Sequence, residues 1–292
     1  MEWDALRIFL AVARTGRLSV AARQLGVEHT TVARRLAALE EQLAAPLFHR
    51  TAAGYLLTRV GEDILSSAEG MERAAAGVQA RARATSGRMS GRVRVALVPE
   101  FASHWLAPHL PDFQARHPEI ELQVLVGTRQ RDLSRGEAEL AVQGARPRQA
   151  GLVAVRLARA TTGLFASKTF LGGRALRIEE PRHARGVPFL IYTPQFHALQ
   201  GAAWFQPVLA AGRVVLASNS THTLLEAARA SLGIAVLPVF VARTDNELVR
   251  VSAVVSEQDV WLVTHPEFRR DPRIRAAAEF LKRAASGPAG LV

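Results

Sequence analysis

The apolar residues between positions 18 and 43 recur at the three- and four-residue spacing of amphipathic helices, which predicts two helices joined by a sharp turn. Ser19 is expected to cap the first helix, because its hydroxyl oxygen can accept a free backbone N–H. Gly26 is expected at the turn, where glycine adopts a left-handed backbone with the least strain. The apolar stripes are Val20, Ala21 and Leu25 in the first helix and Val32, Leu36, Leu39 and Leu43 in the second.

The opposite face of the second helix carries hydroxyl and guanidinium groups, because Thr30, Thr31, Arg34 and Arg35 fall outside its apolar stripe. A helix with one buried side and these groups on the other fits a DNA major groove, where such side chains read base edges. An ordinary amphipathic hairpin with a solvated arginine face has the same pattern. The pattern therefore favours DNA binding and leaves the plain hairpin as the alternative.

A two-stranded ribbon is predicted directly after this helix. Pro46 ends the helix, and the strand-like runs 47–50 and 55–57 flank a turn at residues 51–54. A ribbon in this position, following a helix of the groove-binding kind, is a wing.

A long amphipathic helix is predicted next, with Thr58 as its N-cap and two acidic residues in its first turns. Its apolar stripe has no partner nearby in the sequence, so it is expected to pair with a second copy of itself. Packing against the rest of its own chain is the alternative. The stripe consists of Ile64, Ala68, Met71, Ala75 and Val78.

These residues carry a resemblance: residues 1–88 resemble the winged helix-turn-helix and linker helix of LysR-type transcriptional regulators. Among the matching motifs is Ala-Ala-Arg-Gln-Leu-Gly-Val at 21–27, and the match resumes with Gly-Ile-Ala-Val-Leu-Pro at 233–238. The ordered set covers nearly the whole chain at the family's spacing. The remaining motifs are residues 3–13, 31–32, 39–40, 47–50, 57–58 with Gly61, 265–269, 272–276 and 280–281.

Two departures from the family pattern concern DNA contacts. The chain has Ala33 where the family usually has serine, and Ala52-Ala53 where the wing tip often carries a basic residue. Both remove a potential contact to DNA, and neither alters the fold. The expected DNA-binding residues are Ser19, His29, Thr30, Thr31, Arg34, Arg35, Arg50 and Tyr55.

The second half of the chain alternates strand-like and helix-like segments after a small, polar, Gly-bearing hinge at residues 82–91. This alternation predicts parallel α/β sheets. The resemblance implies a two-lobed effector-binding domain, similar to periplasmic solute-binding proteins. The chain would cross between lobes near Thr161-Thr162 and return near Val263-Thr264. The expected divisions are 1–58 (winged domain), 59–88 (linker helix and hinge) and 89–292, with lobe I at 92–161 plus 265–292 and lobe II at 162–264.

An effector is expected in the crevice between the lobes, outside the carboxyl ends of the strands. Ser220-Thr221 opens a helix whose free N–H groups and positive dipole end would suit a carboxylate, although these hydroxyls can equally serve as caps. Arg129 and Arg131 are the nearest basic candidates, and simple solvation of both is the alternative. The expected effector-binding residues, which match the family's contact positions, are Ser103, Thr128, Ser218, Asn219, Ser220 and Thr221.

Composition limits the function classes without deciding among them. The net charge is +11, yet residues 1–88 contribute only +3 of it, so total charge is no argument for DNA binding. There are no cysteines, which excludes disulfides and thiolate metal sites. No signal peptide or membrane-length apolar run is present, and the chain is expected in the cytoplasm. Catalytic and metal-binding motifs are absent, so neither enzyme activity nor a cofactor or metal is expected.

The sequence therefore predicts an α+β multidomain protein: an N-terminal winged helix-turn-helix, a long linker helix and a two-lobed α/β effector-binding domain. Its expected function is transcription regulation through double-stranded DNA, in response to a small-molecule effector that is a carboxylate or another small anion. The resemblance implies a homo-oligomer, a dimer of dimers. A solute-binding module whose N-terminal helices serve only for assembly is the alternative.

Overall fold

The computed structural model describes residues 2–86, 89–129, 131–147, 149, 151–201, 203–287 and 290–291. The chain divides into two compact units: Met1–Ser86 with Ser134–Glu137, and Gly87–Leu133 with Ala138–Val292. Gly87 and Arg88, which fall within the predicted hinge, lie outside the described residues. Within the described ranges, no helix has the length and apolar character needed to cross a membrane.

The first unit is a three-helix core followed by a two-stranded wing and a long helix. Its elements are α1 (Trp3–Thr15), α2 (Leu18–Leu25), α3 (His29–Gln42), β1 (Phe48–Thr51), β2 (Gly54–Leu57) and α4 (Arg59–Ser86). The three helices pack around Phe9, Val12, Ala21, Val32 and Leu39, which are all fully buried. The predicted apolar stripes of α2 and α3 thus supply this core.

The turn between α2 and α3 has the predicted left-handed glycine, since Gly26 has φ 67°. Two details of the prediction are wrong. Ser19 does not cap α2, because Leu18 is buried in the core as the first helical residue, so the helix starts two residues earlier than predicted, with Arg17 in the N-cap position. Leu43 does not pack inward either: α3 ends at Gln42, and Leu43 is exposed where the chain turns away.

The wing forms where it was predicted, with β1 and β2 antiparallel. Its packing against the turn after α1 requires glycine at position 54, because a Cβ there would lie 2.4 Å from the carbonyl oxygen of Gly16. The N–H of Tyr55 donates to that same oxygen at 2.8 Å. The ring of Phe48 lies 5.5 Å from that of Phe9, which fixes the wing on α1.

Helix α4 begins as predicted, with the Thr58 hydroxyl oxygen accepting the N–H of Gly61 at 3.1 Å. Its apolar stripe is divided between two environments. Ile64 and Ala68 pack against the core of their own unit, and Ala68 is buried there. Met71 and Val78, in the later part of the stripe, are exposed within the described residues.

The second unit is built on a nine-stranded mixed sheet in the order β4-β3-β5-β11-β6-β9-β7-β8, with β10 paired to β6. The strands are β3 (Gly91–Leu97), β4 (Ile120–Val126), β5 (Leu140–Gln143), β6 (Val153–Ser167), β7 (Pro188–Tyr192), β8 (Arg213–Ser218), β9 (Ile234–Pro238), β10 (Leu248–Arg250) and β11 (Ser256–Thr264). The helices are α5 (Ala107–Arg116), preceded by a π-helical segment Phe101–Leu106, α6 (Lys168–Leu171), α7 (Phe205–Ala211), α8 (Thr221–Arg229), α9 (Val239–Ala242) and α10 (Pro272–Ser286). Short 3₁₀ turns occupy Leu133–Arg135, Pro181–Ala184, Pro194–Gln200 and Pro266–Arg270.

Two long antiparallel strands connect the lobes, which corrects the expectation of parallel strands throughout. Strand β6 pairs with β11 up to Thr162, and from Thr162 onward it pairs with β9 on its other side. The return near Val263-Thr264 was wrong. Val263 and Thr264 pair with β5 in lobe I, and the chain already rejoins β6 at Ser256.

Candidate nucleic-acid interface and ligand cleft

The exposed face of α3 begins at its first residue. His29, Thr30, Arg34 and Arg35 are exposed, and Thr31 is half-buried. The stripe on the other side of the helix is buried in the core, which fixes the rotation of α3 about its axis. The N-terminal turn and one side of the helix are therefore free to contact another molecule.

The two arginines of this face differ in their surroundings. A carboxylate oxygen of Asp4, on α1, accepts from Arg35 Nη1 at 3.4 Å and its other oxygen accepts from Arg7 at 3.2 Å. Arg34 forms no ion pair in the part of the chain that the structure describes. Arg34 is thus the arginine of α3 whose guanidinium is available, whereas Arg35 is held towards α1.

The wing presents a further exposed arginine, which lies beside an aromatic ring. The guanidinium carbon of Arg50 lies 5.7 Å from the centre of the Tyr55 ring, within cation–π range. Ser19 is exposed on α2, where its hydroxyl is not used as a cap. The predicted DNA-binding residues are thus distributed over α2, α3 and the wing.

Glu40 fixes the wing to α3, a role that the sequence analysis missed. Its Oε1 accepts the backbone N–H groups of Leu47 and Phe48 at 2.7 and 3.2 Å. The hydroxyl of Thr58 donates to the carbonyl oxygen of Pro46 at 2.7 Å and holds the same segment from the other side. The start of the wing is therefore positioned by two side chains rather than by its own turn.

The second unit contains a cleft of about 600 Å³ between its lobes. Five of the six predicted effector-binding residues line it: Ser103 and Thr128 from lobe I, and Asn219, Ser220 and Thr221 from lobe II. Ser218 does not line it, because its hydroxyl oxygen accepts the N–H of Ser220 at 3.1 Å. The structure thus brings together residues that are far apart in the sequence.

The two hydroxyls at the start of α8 already have partners. Ser220 is the N-cap, and its oxygen accepts the N–H of Thr223 at 3.2 Å. Thr221 is buried, and its Oγ1 lies 2.9 Å from the hydroxyl of Tyr192. Burial raises the pKa of the Tyr192 phenol, so this pair is neutral. Thr221 is therefore a buried structural contact, while Ser220 retains its hydroxyl hydrogen for a ligand.

The unused donors of the cleft are neutral. Ser103, Thr128 and Asn219 are exposed, and their side chains form no hydrogen bond within the described residues. No lysine or arginine is among the described residues that line this cleft. Arg129 and Arg131 line a separate shallow depression beside β3 and β5.

Glu100 is the acidic group of the cleft, and the sequence analysis did not single it out. It follows β3 after Val98 and Pro99, at the carboxyl end of a strand, where a ligand site is expected in such sheets. Burial raises the pKa of its carboxyl group. His104 also lines the cleft, and burial together with the charges of His222 and Arg229 lowers the pKa of its imidazole.

A smaller pocket of about 200 Å³ adjoins the cleft. Its walls include the rings of Phe101, Phe196 and Phe240, and Phe196 also faces the larger cleft. Trp204 lines neither cavity, since its indole N–H donates to the carbonyl oxygen of Val254 at 2.9 Å. Phe101 and Phe196 thus face a cavity, whereas Trp204 is held by a hydrogen bond to the backbone.

Two family models match the chain. The LysR substrate binding domain matches residues 86–286, and the bacterial regulatory helix-turn-helix protein of the lysR family matches residues 3–62. The chain belongs to the LysR family. It is accordingly a transcriptional regulator and not an enzyme, as the sequence analysis expected.

Relatives of this LysR-family protein match it over nearly its full length. The Mau operon transcriptional activator of Paracoccus denitrificans is 28% identical over 94% of this chain and 93% of its own. Among solved structures, a full-length variant of OxyR from Pseudomonas aeruginosa has a TM-score of 0.74 at 18% identity, covering 99% of this chain and 96% of its own. CbnR in complex with its target DNA has a TM-score of 0.61 at 21% identity, covering 98% and 100%. The expected fold class is thereby confirmed.

Proposed function

We propose that this LysR-family protein binds specific DNA sequences through α3 and the wing, and that a small molecule in the cleft of its second unit modulates this binding. The observation that carries the proposal is the exposed face of α3, on which Arg34 has no internal partner among the described residues. CbnR, which shares the fold, was solved with its target DNA. Because a bacterial regulator must reach the DNA that it binds, we place the action of this protein in the cytoplasm.

The side chains of α3 divide by role in this proposal. Arg34 contacts a guanine edge in the major groove, where a guanidinium forms two hydrogen bonds at once. His29, Thr30 and Thr31 lie at the N-terminal turn of α3, the part of such a helix that meets the bases. Arg35, Arg50, Tyr55 and Ser19 contact the DNA backbone, which positions the protein without reading sequence.

Two copies are required to read a full site, and the exposed part of α4 is the proposed seam between them. Val60, Met71 and Val78 are exposed apolar residues of α4. Val60 and Val78 are separated by about five helical turns and so point in the same direction, with Met71 close to their line. Paired α4 helices give a dimer with two α3 helices for successive major grooves. Pairing of second units then gives the dimer of dimers.

The effector is proposed to be a small carboxylate or another small anion. Ser103, Thr128, Asn219 and Ser220 offer neutral donors around the cleft. The N-terminus of α8 adds free backbone N–H groups and a positive dipole end. An effector alters the regulator only if it binds one arrangement of the lobes or subunits more tightly than another.

The test is selection of genomic duplex fragments by the full-length protein, followed by footprinting over a range of salt concentrations. We expect a small set of fragments with two half-sites about one helical turn apart, or a multiple of it. Affinity should fall with salt for all DNA, while the ratio of specific to non-specific affinity remains. Equal affinity for every duplex would contradict the proposal and favour a solute-binding module with an N-terminal assembly segment.

A further inference from the structure

We propose that Glu100 binds a protonated amine of the effector, so that the small carboxylate proposed above for the cleft is an amino-acid-like molecule. This inference rests on the proposed function, because it names the class of ligand for the same cleft. The effector would then carry a positive amine at Glu100, in addition to the carboxylate placed above at the N-terminus of α8.

Glu100 lies where the two cavities meet. It is one of four residues that line both the 600 Å³ cleft and the 200 Å³ pocket, together with Val98, Phe196 and Leu199. A molecule that reaches from the donors near α8 into the smaller pocket therefore passes Glu100. The position is that of a ligand contact rather than of a surface charge.

The carboxylate has no counterion within the described part of the chain. Among the described residues, Glu100 forms no ion pair, and no lysine or arginine lines either cavity. The histidine nearest along the same helical segment, His104, has a lowered pKa and is neutral at pH 7. Its pKa is raised because burial, which disfavours the ionised form, outweighs the backbone hydrogen bond to the carboxylate, and no counterion among the described residues offsets this cost. A ligand cation would offset this cost.

The surroundings of Glu100 suit an ammonium group. Three aromatic rings, those of Phe101, Phe196 and Phe240, line the smaller pocket, and the Phe101 and Phe240 rings lie 5.5 Å apart. A ring face attracts a cation and offers nothing comparable to an anion. A carboxylate bound near α8 would be repelled by Glu100 unless the ligand carried its own positive charge. A ligand with a carboxylate near α8 and an amine at Glu100 is an amino acid or a close derivative.

The test uses pairs of probes that differ only by the amine. The twenty amino acids and the corresponding acids without the amino group, such as phenylalanine and 3-phenylpropionate, are added to the full-length protein, and Tm is measured. We expect at least one amino acid to raise Tm and its amine-free partner to have little effect. Titration calorimetry of that pair then gives the affinities for wild type, Glu100→Gln and the control Glu119→Gln.

Glu100→Gln should weaken binding of the amino acid by about 10- to 100-fold, as expected for loss of a hydrogen bond to a charged group. It should also raise the Tm of the ligand-free protein, because the uncompensated carboxylate is gone, so a folding defect is not an explanation. Glu119→Gln, at an exposed position, should change neither the affinity for the amino acid nor the Tm of the ligand-free protein. No amine-dependent shift, or undiminished amine binding by Glu100→Gln, would overturn the inference. If the wild-type protein shows no sequence-selective binding in the DNA selection described above, the proposed function is overturned instead.

Discussion

Thr221 and Tyr192 join α8 to β7 through a hydrogen bond between their hydroxyl groups, 2.9 Å apart. Both side chains are buried at the wall of the ligand cleft. A buried hydroxyl that loses its partner costs more than the hydrogen bond itself is worth, because the group remaining is no longer solvated. At the scale of single residues, this pair acts on the shape of the cleft rather than as ligand donors.

Thr221→Val should therefore lower the free energy of unfolding by about 1–3 kcal/mol, because it leaves the Tyr192 hydroxyl without this partner. Urea denaturation of the full-length protein measures the change. Tyr192→Phe should have a similar effect, and the double variant should lose less than the sum of both. An unchanged stability of Thr221→Val, combined with lost effector binding, would make Thr221 a ligand donor instead.

His104 predicts a pH dependence of stability. The folded chain holds the pKa of its imidazole below the ordinary value of 6.5, because of burial first and then of the charges on His222 and Arg229. As pH falls through 6.5 towards the folded pKa, the unfolded state takes up the proton first, so stability is lost in this range. Wild type should thus lose more stability than His104→Gln between about pH 8 and about pH 5. Urea denaturation at each pH measures the stability of both proteins, and an equal loss of stability in wild type and His104→Gln would contradict this prediction.

At the scale of elements, the coupling of α3 to the wing depends on Glu40. Its Oε1 accepts two backbone N–H groups at the start of β1, so α3 and the wing are fixed relative to each other before DNA is bound. The neighbouring Glu41 is exposed and offers a matched control.

Glu40→Ala should destabilise the first unit by about 1–3 kcal/mol, because the N–H groups of Leu47 and Phe48 lose their acceptor. Affinity for DNA should fall with it, since the wing no longer has one position relative to α3. Urea denaturation and DNA titration of Glu40→Ala and Glu41→Ala measure both effects. Equal behaviour of the two variants would remove Glu40 from this role.

The elements that local patterns encode were predictable. Helices α2, α3 and α4 follow from apolar spacing, Gly26 and the Thr58 cap, and the wing follows from its short strands. The first half of β6, together with β10 and β11, does not follow from local patterns, because their pairing joins residues about a hundred positions apart, such as Thr161 with Glu257. No local pattern reports such a pairing, and most residues of β6 up to Thr161 are only partly buried.

The ligand cleft was predictable to a similar extent. Its polar residues at strand ends, including Ser103 and Thr128, follow from the rule that ligands lie at the carboxyl ends of strands. The hydrogen-bond partner of Thr221 could not be predicted in this way, because Tyr192 lies 29 residues away on β7. Glu100 carried a usable signal, an acidic residue just after a buried strand, but its lack of a counterion among the described residues is visible only in the fold.

At the scale of the whole molecule, assembly depends on the exposed part of α4. Met71→Glu should convert the oligomer towards the monomer, because a pair of like charges at an apolar seam is costly. Met71 is 44% exposed within its own chain, so the fold of the monomer should survive. Sedimentation velocity measures the change, with Ser66→Glu, at an exposed polar position of α4, as the control. An unchanged oligomer in Met71→Glu would place the seam elsewhere.

The central claim is that the exposed face of α3 reads DNA sequence, and Arg34 tests it most directly. The measurement is the affinity of wild type, Arg34→Ala and the control Arg116→Ala for the selected operator and for random duplex at one salt concentration. Arg34→Ala should lose affinity for the operator on the order of 10- to 100-fold, with a much smaller loss on random DNA. Equal losses on both DNAs would make Arg34 a backbone contact, and no loss on either would contradict the assignment of α3 as the reading element.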